Sequence, residues 1–168
     1  MSGPPATALA GWPPRCAGAT EYARLTLVSY AGDITPLEAW KMLSDNPRAV
    51  LVDVRCDAEW RFVGVPDLSS LGRDVVYVEW NTSDGARNDN FLAELQDRIP
   101  PINVGQDERP VVFICRSGNR SIGAAEVATE AGICPSYNVL DGFEGHLDSA
   151  GHRGATGWRA VGLPWKQS

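Results

Sequence analysis

The sequence predicts an α/β domain built on a mainly parallel sheet. Two observations carry this. Short apolar runs rich in β-branched residues alternate with segments of helical periodicity. The runs Val50–Val54 and Val111–Ile114 are apolar almost throughout, as expected of strands buried on both faces. No internal repeat is present.

The elements follow in order. Met1 to about Ala19 is rich in Pro, Gly and Ala and reads as a flexible or loosely docked arm, with Trp12 as a packing point. The domain division is residues 1–24 for the arm and 25–168 for the domain. Glu21 to Leu27 suggests a short helix. Thr35-Pro36-Leu37-Glu38 combines an N-cap, a proline at the first helical position and a capping-box glutamate. Leu37, Trp40 and Leu43 then form the apolar face, and Asn46-Pro47 ends the helix. Val50–Val54 is a strand, and Asp57 to Arg61 fits one or two helical turns capped by Asp57. Val75 to Val78 is a further strand. Asn88 to Ile99 reads as a helix with Phe91, Leu92 and Leu95 as its stripe, stopped by Pro100-Pro101. Gly105 to Arg109 is a polar loop. Val111–Ile114 is a strand, Ile122 to Ala131 a helix stopped by Gly132, and Ser136 to Leu140 a strand. Asp141-Gly142-Phe143-Glu144-Gly145 is a turn at its carboxyl end. The segment 145–168 carries His146, His152, Trp158 and Trp165 and reads as anchored but irregular.

The stretch that organises the chain is Val111-Val112-Phe113-Ile114-Cys115-Arg116-Ser117-Gly118-Asn119-Arg120-Ser121. Strand, cysteine loop and helix together make a reactive thiolate. Loop N–H groups converge on one point and the helix N-terminus adds partial positive charge. Both lower a thiol's pKa and hold an anion beside it. Arg116 and Arg120 add two cations. A lone cysteine ending a core strand would be read as packing; the Arg-Ser-Gly-Asn-Arg-Ser that follows makes it a site.

Cys115 to Ser121 after an apolar strand resembles the active-site loop of the rhodanese family of sulfurtransferases. Leu51-Val52-Asp53-Val54-Arg55, followed by Glu59-Trp60, resembles the family's first signature. The likeness runs from about Ile34 to Trp165, and the Gly- and aromatic-containing turn 141–145 resembles the family's as well. The chain departs at Val63-Gly64-Val65-Pro66-Asp67, where only the proline matches. The resemblance implies a single rhodanese-like domain, with a mainly parallel sheet of about five strands flanked by helices on both faces. It implies a Cys115 nucleophile, with Arg116, Ser117, Gly118, Asn119, Arg120 and Ser121 forming the substrate-binding loop.

Asp53 and Arg55 stand at a carboxyl strand end, where ligands collect in open α/β sheets. They are assigned to orienting the loop. Asp53 is expected to pair with a loop arginine, Arg120 first. Arg120 then holds the loop and Arg116 meets the anion, or the two roles are exchanged. Cys56 lies beside the same strand end.

The expected reaction moves sulfane sulfur from a small anion such as thiosulfate to cyanide or a thiol through a Cys115 persulfide. A Cys-based phosphatase or arsenate reductase is the second reading. Those phosphatases place five residues between Cys and Arg, whereas four separate Cys115 from Arg120, a cradle better matched to one sulfur atom. A non-catalytic rhodanese-like binding module is the third, and the intact cysteine loop argues against it.

Composition bounds the partners. At 168 residues and 43% hydrophobic, the chain has material for one full core. A net charge of −6 argues against nucleic acid as partner. No apolar run is long enough for a membrane helix, and no secretory signal is read at the N-terminus. The cysteines at 16, 56, 115 and 134 show no metal spacing and are expected as reduced thiols in the cytoplasm. His146, Asp148 and His152 fit no established metal pattern. Neither a metal nor a cofactor is expected.

Overall fold

A computed structural model of the chain describes residues 29–101 and 109–167. The arm, the short helix expected at 21–27, Trp12, Cys16 and most of the loop at 105–109 lie outside the described residues. Five parallel strands form the sheet, β1 (Gly32–Ile34), β2 (Val50–Asp53), β4 (Val76–Tyr77), β5 (Val111–Ile114) and β6 (Ser136–Val139), in the order β1-β6-β5-β2-β4. Between them come α1 (Pro36–Asp45), α2 (Asp57–Val63), α3 (Phe91–Arg98) and α4 (Arg120–Glu130). A small antiparallel ribbon pairs β3 (Val65–Pro66) with β7 (Trp165–Lys166).

The two central strands, β5 and β2, run in register from Val50 opposite Val111 to Asp53 opposite Ile114. Their side chains alternate between two cores, one on each face of the sheet. Val52, Val111 and Phe113 meet Phe91 and Leu95 of α3 and Ala124, Ala125 and Ala128 of α4. Leu51, Val112 and Ile114 meet Ala39 and Leu43 of α1 together with Phe143 and Trp158. The C-terminal segment is therefore anchored, as its aromatic content implies. Trp158 is fully buried, packs edge-on against Trp40, and donates from Nε1 to the Pro164 carbonyl at 2.8 Å.

Helix α1 starts as its sequence dictates. Thr35 Oγ1 accepts from the Glu38 N–H at 3.2 Å, and Glu38 Oε2 accepts from the Thr35 N–H at 2.8 Å. Its buried face differs from the expected one. Pro36, Ala39 and Leu43 are buried, Trp40 packs at the edge, and Leu37 is 56% exposed. At about 100° per residue, Leu37 lies about 120° around the helix from Leu43. It therefore clears the sheet.

Three boundaries also shift. The cap of α2 is Cys56, and Asp57 is the first helical residue. Helix α3 starts at Phe91 rather than Asn88, because Asn88 Oδ1 accepts from the Asn90 N–H at 3.0 Å and holds a turn there. Helix α4 starts at Arg120, inside the expected loop.

Cys134 is disulfide-bonded, whereas Cys56 and Cys115 are free. The expectation of reduced thiols throughout fails there, since sequence spacing does not report proximity in space. The cytoplasmic expectation, which leaned on it, loses that support.

The α1 register yields a test. Leu43→Ala should cost about 2–5 kcal/mol in urea unfolding, as deletion of a fully buried leucine side chain does. Leu37→Ala should cost under about 0.5 kcal/mol. Equal losses would refute the buried face described.

Candidate active site

Strand β5 delivers Cys115 to the carboxyl edge of the sheet with 1% of its surface exposed. The chain then turns through Arg116–Asn119 into α4. Gly118 adopts φ 92°, and its N–H reaches Cys115 Sγ at 3.1 Å. Ser121 Oγ lies 3.1 Å from the same sulfur. The thiol thus has one backbone donor and one hydroxyl against it, beside the first turn of a helix. Arg116 and Asn119 are exposed on the loop, and Ser117 is half-buried.

The turn after β6 holds this loop from behind. Phe143 N–H donates to the Cys115 carbonyl at 2.8 Å and Glu144 N–H to the Arg116 carbonyl at 2.9 Å. Gly142, at φ 57°, makes the approach possible. A Cβ there would stand 2.3 Å from the Cys115 carbonyl oxygen.

The expected pairing of Asp53 with Arg120 does not form. Asp53 is bonded by Arg55, whose Nε lies 3.0 and 3.1 Å from its two carboxylate oxygens and whose Nη2 lies 2.6 Å from Oδ2. Both residues are fully buried. Residues two apart on an extended chain share a side, so the adjacent guanidinium takes the carboxylate. Arg55 also donates to the Gly64 carbonyl at 2.8 Å, and its guanidinium carbon lies 4.1 Å from the centre of the Phe143 ring. Asp53 and Arg55 therefore reach the loop through the turn that braces it.

Arg120 pairs with Glu59 on α2, at 2.9 and 2.7 Å in a bidentate bridge. Glu59 Oε2 also accepts the Cys56 N–H at 3.0 Å. Burial alone would push the Glu59 carboxyl up. The Arg120 and Cys56 hydrogen bonds outweigh it and hold the pKa down at about 2. Cys56 thus stands beside the clamp. Arg120 is the loop-holding arginine and Arg116 the exposed one.

A buried polar line runs away from the sulfur, which the sequence reading missed. Ser121 Oγ lies 2.5 Å from Asn138 Oδ1, and Asn138 Nδ2 donates to Asp33 Oδ1 at 2.8 Å. The available signal was a lone asparagine within an otherwise buried strand. Among the described residues, no group of three or more His, Cys, Asp or Glu side chains can hold a metal. His146 instead meets Asp141 at 3.2 Å. A cavity of about 410 Å³ opens at the far edge of the sheet, beside Val50 and Val76, and no residue of the Cys115–Ser121 loop lines it.

The sheet order and the Cys loop between strand and helix agree with the class the sequence resembles, a rhodanese-like domain. The family model described as the STR4 middle domain matches residues 32–168. The chain is 37% identical to the uncharacterised protein RC0915 of Rickettsia conorii, over 80% of this chain and 96% of that one. It is 28% identical to a chloroplastic thylakoid rhodanese-like protein of Oryza sativa, over 80% of this chain and 25% of that one. Among solved structures, Rv0390 from M. tuberculosis is 83% identical, with a TM-score of 0.78, over 83% of this chain and all of that one. A homodimeric polysulfide-sulfur transferase from Wolinella succinogenes is 25% identical, with a TM-score of 0.52, over 81% and 78%. The chain belongs to the rhodanese-like family.

The clamp predicts a pH dependence. Glu59 titrates at about 2 in the fold against 4.5 for the free group. Its contribution to stability is therefore complete above 4.5 and is lost as pH falls from there through 2. Glu59→Gln should be less stable than wild type by about 1–3 kcal/mol at pH 7, the scale of a partly buried polar group losing its partner. The gap should shrink by more than half at pH 3, read from urea midpoints. A gap unchanged at pH 3 would refute the clamp.

Proposed function

We propose that this protein is a sulfurtransferase that moves sulfane sulfur through a Cys115 persulfide, with thiosulfate as a competent donor. The observation that carries the reading is the sulfur of Cys115, buried at the floor of a loop whose Gly118 N–H points at it. The Cys115 thiolate attacks the outer sulfur of thiosulfate. The new S–S bond forms as the old one breaks, and sulfite leaves with the electron pair. A nucleophilic acceptor, cyanide or a thiol, then attacks the outer sulfur of the persulfide and restores the thiolate. The loop N–H groups and the helix start favour the negative charge at each stage. Arg116, exposed on the loop, meets the incoming dianion.

Two features weigh against phosphoryl chemistry. The loop is short, and the Arg120 guanidinium is committed to Glu59 rather than turned over an oxyanion. The polysulfide-sulfur transferase among the structural neighbours supports a sulfur-carrying role. The acceptor in the cell is expected to be a thiol, and neither nucleic acid nor a membrane is expected as partner.

Incubation with thiosulfate should add one sulfur to the intact mass, and cyanide should remove it. Cys115→Ser should show no gain, whereas Cys56→Ser should load normally. A sulfur gain in Cys115→Ser would overturn the mechanism. Arg116→Ala should raise KM for thiosulfate about tenfold, the scale of one exposed charge-assisted contact, and leave the melting temperature unchanged. A lowered melting temperature with unchanged KM would exchange the roles of Arg116 and Arg120.

A further inference from the structure

The line Cys115–Ser121–Asn138–Asp33 has a direction. Asp33 Oδ1 accepts from the Tyr30 hydroxyl at 2.9 Å and from Asn138 Nδ2 at 2.8 Å. A carboxylate only accepts, so it turns the amide of Asn138 with nitrogen outward and oxygen inward. Strand register sets this contact, since Asp33 lies directly beside Asn138 in the β1–β6 pair. The inward oxygen faces Ser121 Oγ at 2.5 Å. An amide oxygen cannot donate, so the Ser121 proton lies between those two atoms.

A hydroxyl has one proton, and Cys115 Sγ is 3.1 Å from the same oxygen. While sulfur carries its hydrogen, all three groups are satisfied, S–H to Oγ and O–H to Oδ1. Once sulfur becomes a thiolate, it needs the Ser121 proton. Turning the hydroxyl to sulfur leaves the Asn138 oxygen, in a residue 1% exposed, without its donor. Asn138 thus opposes charge on Sγ. In a persulfide the charge sits on the outer sulfur, and Sγ makes no such demand.

We propose that Asn138, turned by Asp33, is a positioning residue that competes with Cys115 for the single proton of Ser121, so the site favours negative charge one atom beyond Sγ. The consequence for the sulfur-loaded state rests on the sulfur-transfer reading; the competition itself does not. Among the described residues, the charged and titratable groups on the elements packed about the loop include Arg120 with Glu59, Asp53 with Arg55, Cys56, Arg116, Asp141 and Glu144. Among the described residues, the hydrogen bonds to Sγ come from Gly118 and Ser121. Tyr30 is pushed up to about 12, by burial first and then by its bond to Asp33. It keeps its proton across any assay range.

The test is the pH profile of Cys115 alkylation by iodoacetamide, followed on the peptide that carries Cys115. Ser121→Ala removes the donor to the thiolate and should move the midpoint to higher pH. Asn138→Leu removes the competing acceptor and should move it to lower pH, by about one pH unit, a tenfold change in thiolate population. Asp33→Asn lets the Asn138 amide turn over and should move it the same way. It also decides the matter if Asn138→Leu does not fold. A merely structural role would not drive Ser121 and Asn138 variants in opposite directions. Midpoints for Asn138→Leu and Asp33→Asn at or above the wild-type value would overturn the proposal. Opposed shifts in a protein that takes no sulfur from thiosulfate would sustain it while removing the sulfur-transfer reading.

Discussion

The Cys115 loop keeps its shape because the turn after β6 holds its first two carbonyls, through the N–H groups of Phe143 and Glu144. A trans peptide is planar, with its carbonyl and N–H pointing opposite ways. Pinning the carbonyls of Cys115 and Arg116 on one side therefore sets the N–H groups of Arg116 and Ser117 on the other. The same turn carries the Phe143 ring against the buried Asp53–Arg55 pair. Loop, turn and strand end are thus one rigid unit. Rigidity matters here because donors that need not reorganise are the ones that stabilise charge effectively.

Charge is arranged in layers around that unit. Arg55 and Arg120 are each answered by a carboxylate, Asp53 and Glu59, and serve as braces. Arg116 is left outward on a chain of net charge −6. Screening at ordinary salt confines distant charges to about 10 Å or less, so the nearby guanidinium counts for more than the overall balance.

Much of this was legible in the sequence, and the limits have physical causes. Thr35-Pro36-Leu37-Glu38 specified its own helix start because every interaction involved is local. Cys115 to Ser121 was readable for the same reason: strand, loop and helix are contiguous. Partners across elements were not readable. Arg120 finds Glu59 and Asn138 finds Asp33 only through the order of strands and the placement of α2. Asp53 stands at the carboxyl end of β2, as read, but its nearest cation was its own neighbour. Strands β1, β3 and β7 run for two or three residues, too short for a periodic signal. Leu37 failed because an apolar residue at the shoulder of a helix is chosen or rejected by the surface it meets.

The β3–β7 ribbon has a consequence for how the fold is reached during synthesis. Val65 pairs with Lys166 and Pro66 with Trp165, a separation of about 100 residues. Strands β2 and β5 and their helices can assemble while the C-terminal segment is still unmade. The ribbon, and with it the seat of Trp158 over α1, closes only once residues 158–166 have emerged. Until then the α1 face of the sheet leaves Leu51, Val112 and Ile114 without the cover Trp158 provides. The nascent domain passes through a half-clad state whose open apolar face is the natural point for chaperone capture or misassembly.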